Sequence, residues 1–148
     1  MPAIIEVKNL TKVFGKEIKA VDDLSFTVPA GKVYGFLGQN GAGKSTTIRM
    51  LLTLVRPSSG HIKIFDMDLS HHRAAILQKV GAIIEKPDLY KYLTALENLR
   101  IFAAMSGVSV GEKKLLAQLD RVGLAQRANS KVKAFSQGMK QRLGIATA

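Results

Sequence analysis

The stretch GQNGAGKST, residues 38–46, decides the fold of this chain. It follows the apolar run VYGFL at residues 33–37, which predicts a buried strand. It precedes a segment in which apolar residues recur on one helical face, namely Ile48, Leu51, Leu52 and Val55. Three glycines, a lysine and two hydroxyl groups therefore lie in a turn between a strand and a helix that begins near Lys44.

The turn has the pattern G-x-x-x-x-G-K-[ST], in which residues without a Cβ let successive backbone N–H groups point inward at an anion. The partial positive charge of the helix N-terminus adds to that attraction. This pattern arises by chance in fewer than about 1% of chains of this length. It predicts a binding loop for the phosphates of a nucleotide, and a plain glycine-rich turn with a capping serine is the alternative.

Individual side chains of the loop have distinct predicted roles. Lys44 would reach the β- and γ-phosphates, and Ser45 would offer a hydroxyl ligand to Mg²⁺. Thr46 and Thr47 are placed to touch phosphates nearer the nucleoside. The predicted phosphate-binding residues are Gly38, Gln39, Asn40, Gly41, Ala42, Gly43, Lys44, Ser45, Thr46 and Thr47.

Composition limits the classes of function. The 148 residues are 47% hydrophobic, enough for one ordinary domain. The sequence contains no cysteine, which excludes disulfides and cysteine metal sites. The excess of 22 Lys and Arg over 11 Asp and Glu is spread along the chain, so we expect a solvated basic surface and no nucleic-acid partner. We find no signal peptide and no membrane-spanning run, and therefore expect a cytoplasmic protein.

The predicted secondary structure changes from strands to helices near Lys86. Before it, short strands are predicted at residues 4–10, 24–28, 32–37, 61–65 and 80–84. After it, helices are predicted, two of them beginning with capping boxes at Thr94 to Glu97 and at Ser109 to Glu112.

Over essentially its whole length the chain resembles the N-terminal part of an ABC transporter ATP-binding subunit. Besides the loop, the resemblance is carried by IEVKNLTKVFG, VDDLSFTVPAGKVYGFLG, VRPSSGHIKIF and FSQGMKQRLGIA, the last being similar to the family's signature motif. It implies an α/β P-loop NTPase fold of the ABC type, with an antiparallel β portion and a helical subdomain. We expect one incomplete domain over residues 1–148: the β portion and P-loop half of the core at 1–85, and the helical subdomain at 86–148.

The resemblance also assigns roles to residues outside the loop. Phe14 occupies the place where the family stacks an aromatic ring on adenine, although a strand-end core residue is the alternative. Val21 matches the residue that packs beneath the base, and an ordinary core role is nearly as good an interpretation. Ser136, with Gln137 and Gly138, begins the signature helix. This segment is implied to face the γ-phosphate of ATP bound to the opposite subunit of a head-to-tail dimer, with a purely structural N-cap as the alternative.

Two residues that differ from the common family pattern indicate which branch of the family the chain resembles. Gln137 stands where many members have Gly, and the form GMKQRLGIA resembles a drug-, bacteriocin- or antibiotic-export branch. Glu85 in VGAIIEKP stands where the family's usual Gln contacts Mg²⁺ or the attacking water, and it resembles the bacitracin and lantibiotic exporters. We predict Lys44 and Glu85 as catalytic residues, and Ser45 and Glu85 as Mg²⁺ ligands.

The implied function is an ATP-binding subunit at the inner face of the cell membrane. It would couple ATP binding and hydrolysis to export of a drug, antibiotic or peptide through separate membrane permease subunits. The family's next elements, a strand ending in the Mg²⁺-organising Asp and the water-polarising Glu, would follow Ala148. We therefore expect a chain truncated before the Walker B strand and unable by itself to hydrolyse ATP. The alternative is a small P-loop kinase or GTPase that holds Mg²⁺ with Glu85.

Overall fold

The computed structural model of the protein describes residues 2–15 and 17–148. They form two compact units, the first ending at Lys79 and the second running from Val80 to Ala148. The sequence places a boundary after Glu85, whereas residues 80–85 belong to the second compact unit. No helix in the described ranges has both the length and the apolar content that a membrane crossing requires.

The described part of the first unit contains an antiparallel sheet, which confirms the predicted β portion. Its strands are β1 (Ala3–Phe14), β2 (Ile18–Pro29), β3 (Ser59–Ile64) and β4 (Met67–Asp68). They lie in the order β2-β1-β3-β4. The long strands β1 and β2 pair from Ala3 opposite Pro29 to Phe14 opposite Ile18. Side chains from three strands, such as Val7, Val28 and Ile62, are buried and form the core of this unit.

Helices α1 (Lys44–Leu51) and α2 (Arg73–Leu77) complete the first unit. The start of α1 agrees with the sequence, but its buried face does not. Thr47 and Met50 are the buried residues of α1, whereas Ile48 is exposed. The predicted face that includes Ile48 would suit a helix packed on a parallel sheet, and the described chain forms no such sheet beside it.

The strands predicted at residues 33–37 and 80–84 are the clearest error of the sequence prediction. Neither segment is a strand in the structure, and the side chains of Val33 and Leu37 are almost completely exposed. A strand exists through hydrogen bonds to a neighbouring strand, and parallel strands are stable when both faces are covered. Within the described residues no strand forms a hydrogen-bonded ladder with either segment, so their apolar character does not produce a sheet.

The second unit is helical. Its helices are α3 (Ala95–Met105), α4 (Glu112–Arg121) and α5 (Gln137–Thr147), with short 3-10 turns at Ala125–Arg127 and Val132–Ala134. One apolar core joins the three helices through residues such as Leu99, Leu119 and Leu143, all at most 4% exposed. Phe135, immediately before α5, is buried in the same core and so holds the start of that helix in place.

The two predicted capping boxes have different outcomes. At α3 the box is present, because Glu97 N donates to Thr94 Oγ1 at 3.2 Å and Thr94 N donates to Glu97 Oε2 at 2.7 Å. The bond from the Thr94 backbone holds the pKa of the Glu97 carboxyl below its ordinary value. At α4 the box is absent, since the N-cap is Gly111 and no side chain caps it. Glu112 instead pairs with Arg100 Nη2 at 2.7 Å.

A buried amide fixes the loop that precedes α3. Asn98 is completely buried, and its Oδ1 accepts from Tyr90 N at 2.8 Å. Its Nδ2 donates to Tyr90 O at 3.0 Å and to Thr94 O at 2.8 Å. One side chain therefore satisfies three backbone groups, which ties residues 90–94 to the helical core.

We predict that Asn98→Ala lowers the free energy of unfolding by about 2 kcal/mol, because Tyr90 N loses its acceptor while the carbonyls of Tyr90 and Thr94 each keep only one backbone donor. The exposed Asn129 provides the matched control, since Asn129→Ala removes an amide from the surface of the same unit. Urea unfolding followed by circular dichroism measures both variants. Equal small losses would show that the Asn98 hydrogen bonds do not hold the loop.

Candidate nucleotide-binding site

The glycine loop is held against strand β2 by the backbone of Gly43. Gly43 is the N-cap of α1 and has φ 82°, a left-handed conformation that side chains rarely adopt. A Cβ at this position would lie 2.2 Å from Ala20 O and 2.9 Å from Val21 Cγ2. The position therefore requires glycine for two independent reasons, its conformation and its close approach to β2.

The N-terminus of α1 is left open to an anion. No side chain caps it, and its first turn contains no acidic residue. The first backbone N–H groups of a helix have no partner within the helix, so those of Lys44 and Ser45 are available to an incoming ligand. Together with the partial charge of the helix end, they form an anion site of a common type.

The side chain of Lys44 folds back over the loop. Its ammonium donates to Gly38 O and to Gln39 O, each at 2.6 Å. The positive charge thus lies inside the curve of the loop, where two neutral carbonyl oxygens are its acceptors. A phosphate oxygen carries more negative charge than a carbonyl and makes the stronger hydrogen bond to an ammonium.

The hydroxyl-bearing residues of α1 differ in their surroundings. Ser45 is exposed, and Thr46 is half-buried. Thr47 is 1% exposed, and its Oγ1 donates to Gly43 O at 3.0 Å. The Thr47 hydroxyl therefore already stabilises the first turn of the helix, whereas Ser45 presents its hydroxyl to solvent.

Phe14 and Val21 lie on the strands that carry the loop. Phe14 ends β1 and is 42% exposed, so it is not a core residue of the described chain. Val21 is buried and, with Ala20, is one of the two residues that a Cβ on Gly43 would strike.

Sequence reasoning missed a neighbour of Phe14. Lys12 Nζ lies 4.9 Å from the centroid of the Phe14 ring, within the range of a cation–π contact, and donates to Arg56 O at 2.8 Å. The spacing of two residues within one strand is the signal that could have indicated it.

The signature segment forms the start of α5 in the second unit. Ser136 is the N-cap, and its Oγ accepts from Met139 N at 3.3 Å. Gln137 and Gly138 are exposed in the first turn. A Cβ at Gly138 would meet no atom within 4 Å, so nothing in the described chain requires glycine there.

Glu85 lies in the second unit, in the irregular segment that was predicted as the end of a strand. Its backbone is left-handed, with φ 62°, which is uncommon for a glutamate. Among the described residues no group of three or more His, Asp or Glu is placed to hold a metal ion.

The loop fits the phosphates of a nucleotide on its own geometry. It has a curve that a Cβ would fill at Gly43, open backbone N–H groups at the start of α1, and an ammonium within the curve. The structure brings Gly38 to Thr47, Val21 and Phe14 into the first unit, and Ser136 to Gly138 and Glu85 into the second.

Comparisons with protein families and with individual proteins both match this chain to ATP-binding proteins of transporters. A family model described as ABC transporter matches residues 21–148. The bacitracin transport ATP-binding protein BcrA of Bacillus licheniformis is 48% identical over 100% of this chain and 48% of its own length. The lantibiotic transport ATP-binding protein SrtF of Streptococcus pyogenes is 43% identical over 97% of this chain and 60% of its own. The chain spans about half the length of the first curated relatives it matches.

Solved structures share the same fold. An ATP-binding subunit of an ABC transporter matches with a TM-score of 0.83 and 35% identity, covering 98% of this chain and 61% of that one. A dimeric ATP-binding cassette in a post-hydrolysis state, bound to ADP and Pi, matches with a TM-score of 0.82 and 28% identity. That match covers 97% of this chain and 68% of the cassette.

We predict that Gly43→Ala weakens binding of inorganic triphosphate at least about tenfold, because the added Cβ displaces the loop from β2 and moves the helix amides. Isothermal titration calorimetry measures the affinity. Gly107→Ala is the matched control, since Gly107 also has a positive φ, 72°, but its Cβ would meet no atom within 4 Å. An unchanged affinity in Gly43→Ala would contradict the role of this contact.

Proposed function

The chain belongs to the ABC transporter family, and we propose from that premise that it binds Mg-ATP as part of a transporter's ATP-binding subunit. In the complete protein, ATP binding and hydrolysis would drive export of an antibiotic, drug or peptide through separate membrane permease subunits. The observation that carries the proposal is the loop at residues 38–43, where the Lys44 ammonium lies against the Gly38 carbonyl and the start of α1 has no side-chain cap. Family membership removes the support for the kinase or GTPase alternative.

The phosphates would enter by replacing bonds that Lys44 already makes. Its ammonium is held by the carbonyls of Gly38 and Gln39, so it needs no large movement to meet the β- and γ-phosphates. The amides at the start of α1 would bind the remaining phosphate oxygens. Mg²⁺, when bound, neutralises charge that develops on the β- and γ-phosphate oxygens. Ser45 would be one ligand of that ion and Glu85 a second, while Glu85 would also help to position water.

The base would stack on Phe14 at the end of β1. Its ring is 42% exposed, which leaves apolar surface available, and base stacking contributes about 1 to 3 kcal/mol per base. Val21 would support the nucleotide through its contact with the loop. The position of Lys12 beside the ring leaves one face of Phe14 for the base.

A second subunit would complete the site through the start of α5. Ser136, Gln137 and Gly138 present a helix N-terminus that is capped on one amide only and is otherwise exposed. The empty space around Gly138 supports this role, because a glycine unneeded for packing fits a surface that a phosphate approaches closely. The dimeric state of a structural relative bound to ADP and Pi supports a pair of subunits, which would be arranged head to tail.

The exported substrate is proposed from the names of relatives. Two matched proteins, from Bacillus licheniformis and Enterococcus faecalis, are named bacitracin transport ATP-binding proteins, and a third is named for lantibiotic transport. We infer a peptide antibiotic as cargo and a position at the cytoplasmic face of the membrane, beside the permease.

We predict that Lys44→Ala weakens ATP binding about 10- to 100-fold, because a charged hydrogen bond to phosphate is lost. Lys63→Ala, on the exposed side of β3, is the matched control and should bind ATP normally. Calorimetry with Mg-ATP makes the comparison. In the native host, a Lys44→Ala allele should also raise sensitivity to bacitracin or a lantibiotic. Normal ATP affinity in Lys44→Ala would refute the phosphate site.

We predict that Phe14→Ala weakens binding of ATP by about 1 to 3 kcal/mol and leaves binding of inorganic triphosphate nearly unchanged, because only the base contact is removed. Phe14→Tyr keeps an aromatic ring and should restore the difference between the two ligands. Equal losses for ATP and triphosphate would show that Phe14 supports the fold rather than the base.

A further inference from the structure

An open pocket lies in the first unit, at the opposite end of α1 from Lys44. Its volume is about 560 Å³, which falls within the usual range of small-molecule sites. The eight residues of α1 rise by about 12 Å, so the pocket is separated from the phosphate loop by the length of the helix. It is bounded by the turn that follows α1 and by the β3–β4 hairpin.

The pocket has an apolar floor and a polar rim. Val55 and Pro57 line it and are half-buried, and Leu69 lines it with 7% of its surface exposed. Arg56 and Arg73 also line it, and both are exposed. Small-molecule sites commonly combine an apolar lining with a few polar groups that set the orientation of the ligand.

One hydrogen bond holds the Arg73 side chain in place, and its other N–H donors are available to a ligand. Its Nε donates to Thr53 Oγ1 at 2.7 Å. A guanidinium has five N–H donors, and within the described residues Arg73 makes no other hydrogen bond, so four donors remain. They form a planar fork that suits the two oxygens of a carboxylate or phosphate. Arg56 also makes no side-chain hydrogen bond to any part of the chain that the structure describes.

The wall beside Arg73 is a defined turn. Thr53 follows the end of α1 and has φ 60°, which for a β-branched residue costs on the order of 1 to 3 kcal/mol. The bond from Arg73, twenty residues later in the chain, stabilises this conformation. Strained residues of this kind often lie at functional sites.

Asp68 adds a negative charge to the lining of the pocket. Its carboxylate accepts hydrogen bonds from Ser70 Oγ and from Ser70 N, the latter at 2.8 Å, and lies 3.2 Å from His71 Nδ1. The bonds from Ser70 lower the pKa of Asp68 to about 2, so it is ionised at neutral pH. The lining contains two arginines and one carboxylate, so the arginines exceed the acidic groups by one positive charge. One negative charge near the arginines is favoured, and a second near Asp68 is not.

We propose that this pocket binds a small organic anion, with its carboxylate or phosphate on Arg56 and Arg73 and its apolar body on Val55, Pro57 and Leu69. The site goes beyond the proposed nucleotide function, because none of its lining residues belongs to the phosphate loop. The ligand would not compete with ATP for any of these residues.

The test is a titration of the full chain by ¹H–¹⁵N NMR with saturating Mg-ATP, which occupies the phosphate loop. Phenyl phosphate and benzoate are the probes, and inorganic phosphate tests whether the apolar body matters. We expect saturable shifts of the amides of Ser59, Ser70 and Arg73. Arg56→Gln and Arg73→Gln should each raise the dissociation constant about tenfold, since a charge-assisted bond is lost. Lys63→Gln should leave it unchanged.

Each outcome is decisive. Shifts confined to residues 38–47 would overturn the proposal. A dissociation constant that stays at the value of the unmodified chain in both arginine variants would overturn it as well. Tighter binding of inorganic phosphate than of phenyl phosphate would overturn the role of the apolar floor. If Arg73→Gln loses spectral dispersion, that variant has unfolded, and Arg56→Gln then provides the test. Arg56 is suitable because its side chain makes no hydrogen bond to any part of the chain that the structure describes. Failure of ATP to bind would count against the nucleotide function alone, since the pocket would then be titrated without ATP.

Discussion

The close approach of Gly43 to strand β2 is the contact on which the nucleotide site depends. The backbone of Gly43 passes so near Ala20 O and Val21 that a single added carbon would collide with both. This contact fixes where α1 begins, and therefore where its open amides and the Lys44 ammonium lie. The antiparallel sheet serves the site by holding β2 rigid beneath the loop, since β1 pairs with β2 along nearly its full length.

Features encoded by neighbouring residues were predictable. The start of α1, the strands at residues 4–10 and 24–28, the Thr94 capping box and the Ser136 N-cap all follow from local chemistry, and all are present. The loop was predictable because its pattern is rare and its physical role is specific. The capping box predicted at Ser109 is absent, and Glu112 instead forms an ion pair with Arg100, a residue distant in sequence.

Features encoded by distant residues were not predictable. The runs at residues 33–37 and 80–84 have the composition of buried strands, yet strand formation requires a partner strand that local sequence does not specify. Ile48 is exposed because the described chain forms no parallel sheet beside α1 that could cover it. Asn98 was missed because an amide on an apolar helix face gives no sign of the three backbone groups it satisfies eight and four residues earlier.

Helix α1 links the phosphate loop at one end to the anion pocket at the other, which raises the question of coupling between them. Coupling requires that each ligand favour one of two arrangements of a shared element. The two buried residues of α1, Thr47 and Met50, lie three positions apart on one face and hold the helix against the sheet. A short helix held in this way moves as a rigid body, so the two sites are coupled only if α1 shifts against the sheet. The turn at Thr53 belongs to the end of this helix, because Thr53 N donates to Met50 O and Leu54 N donates to Arg49 O.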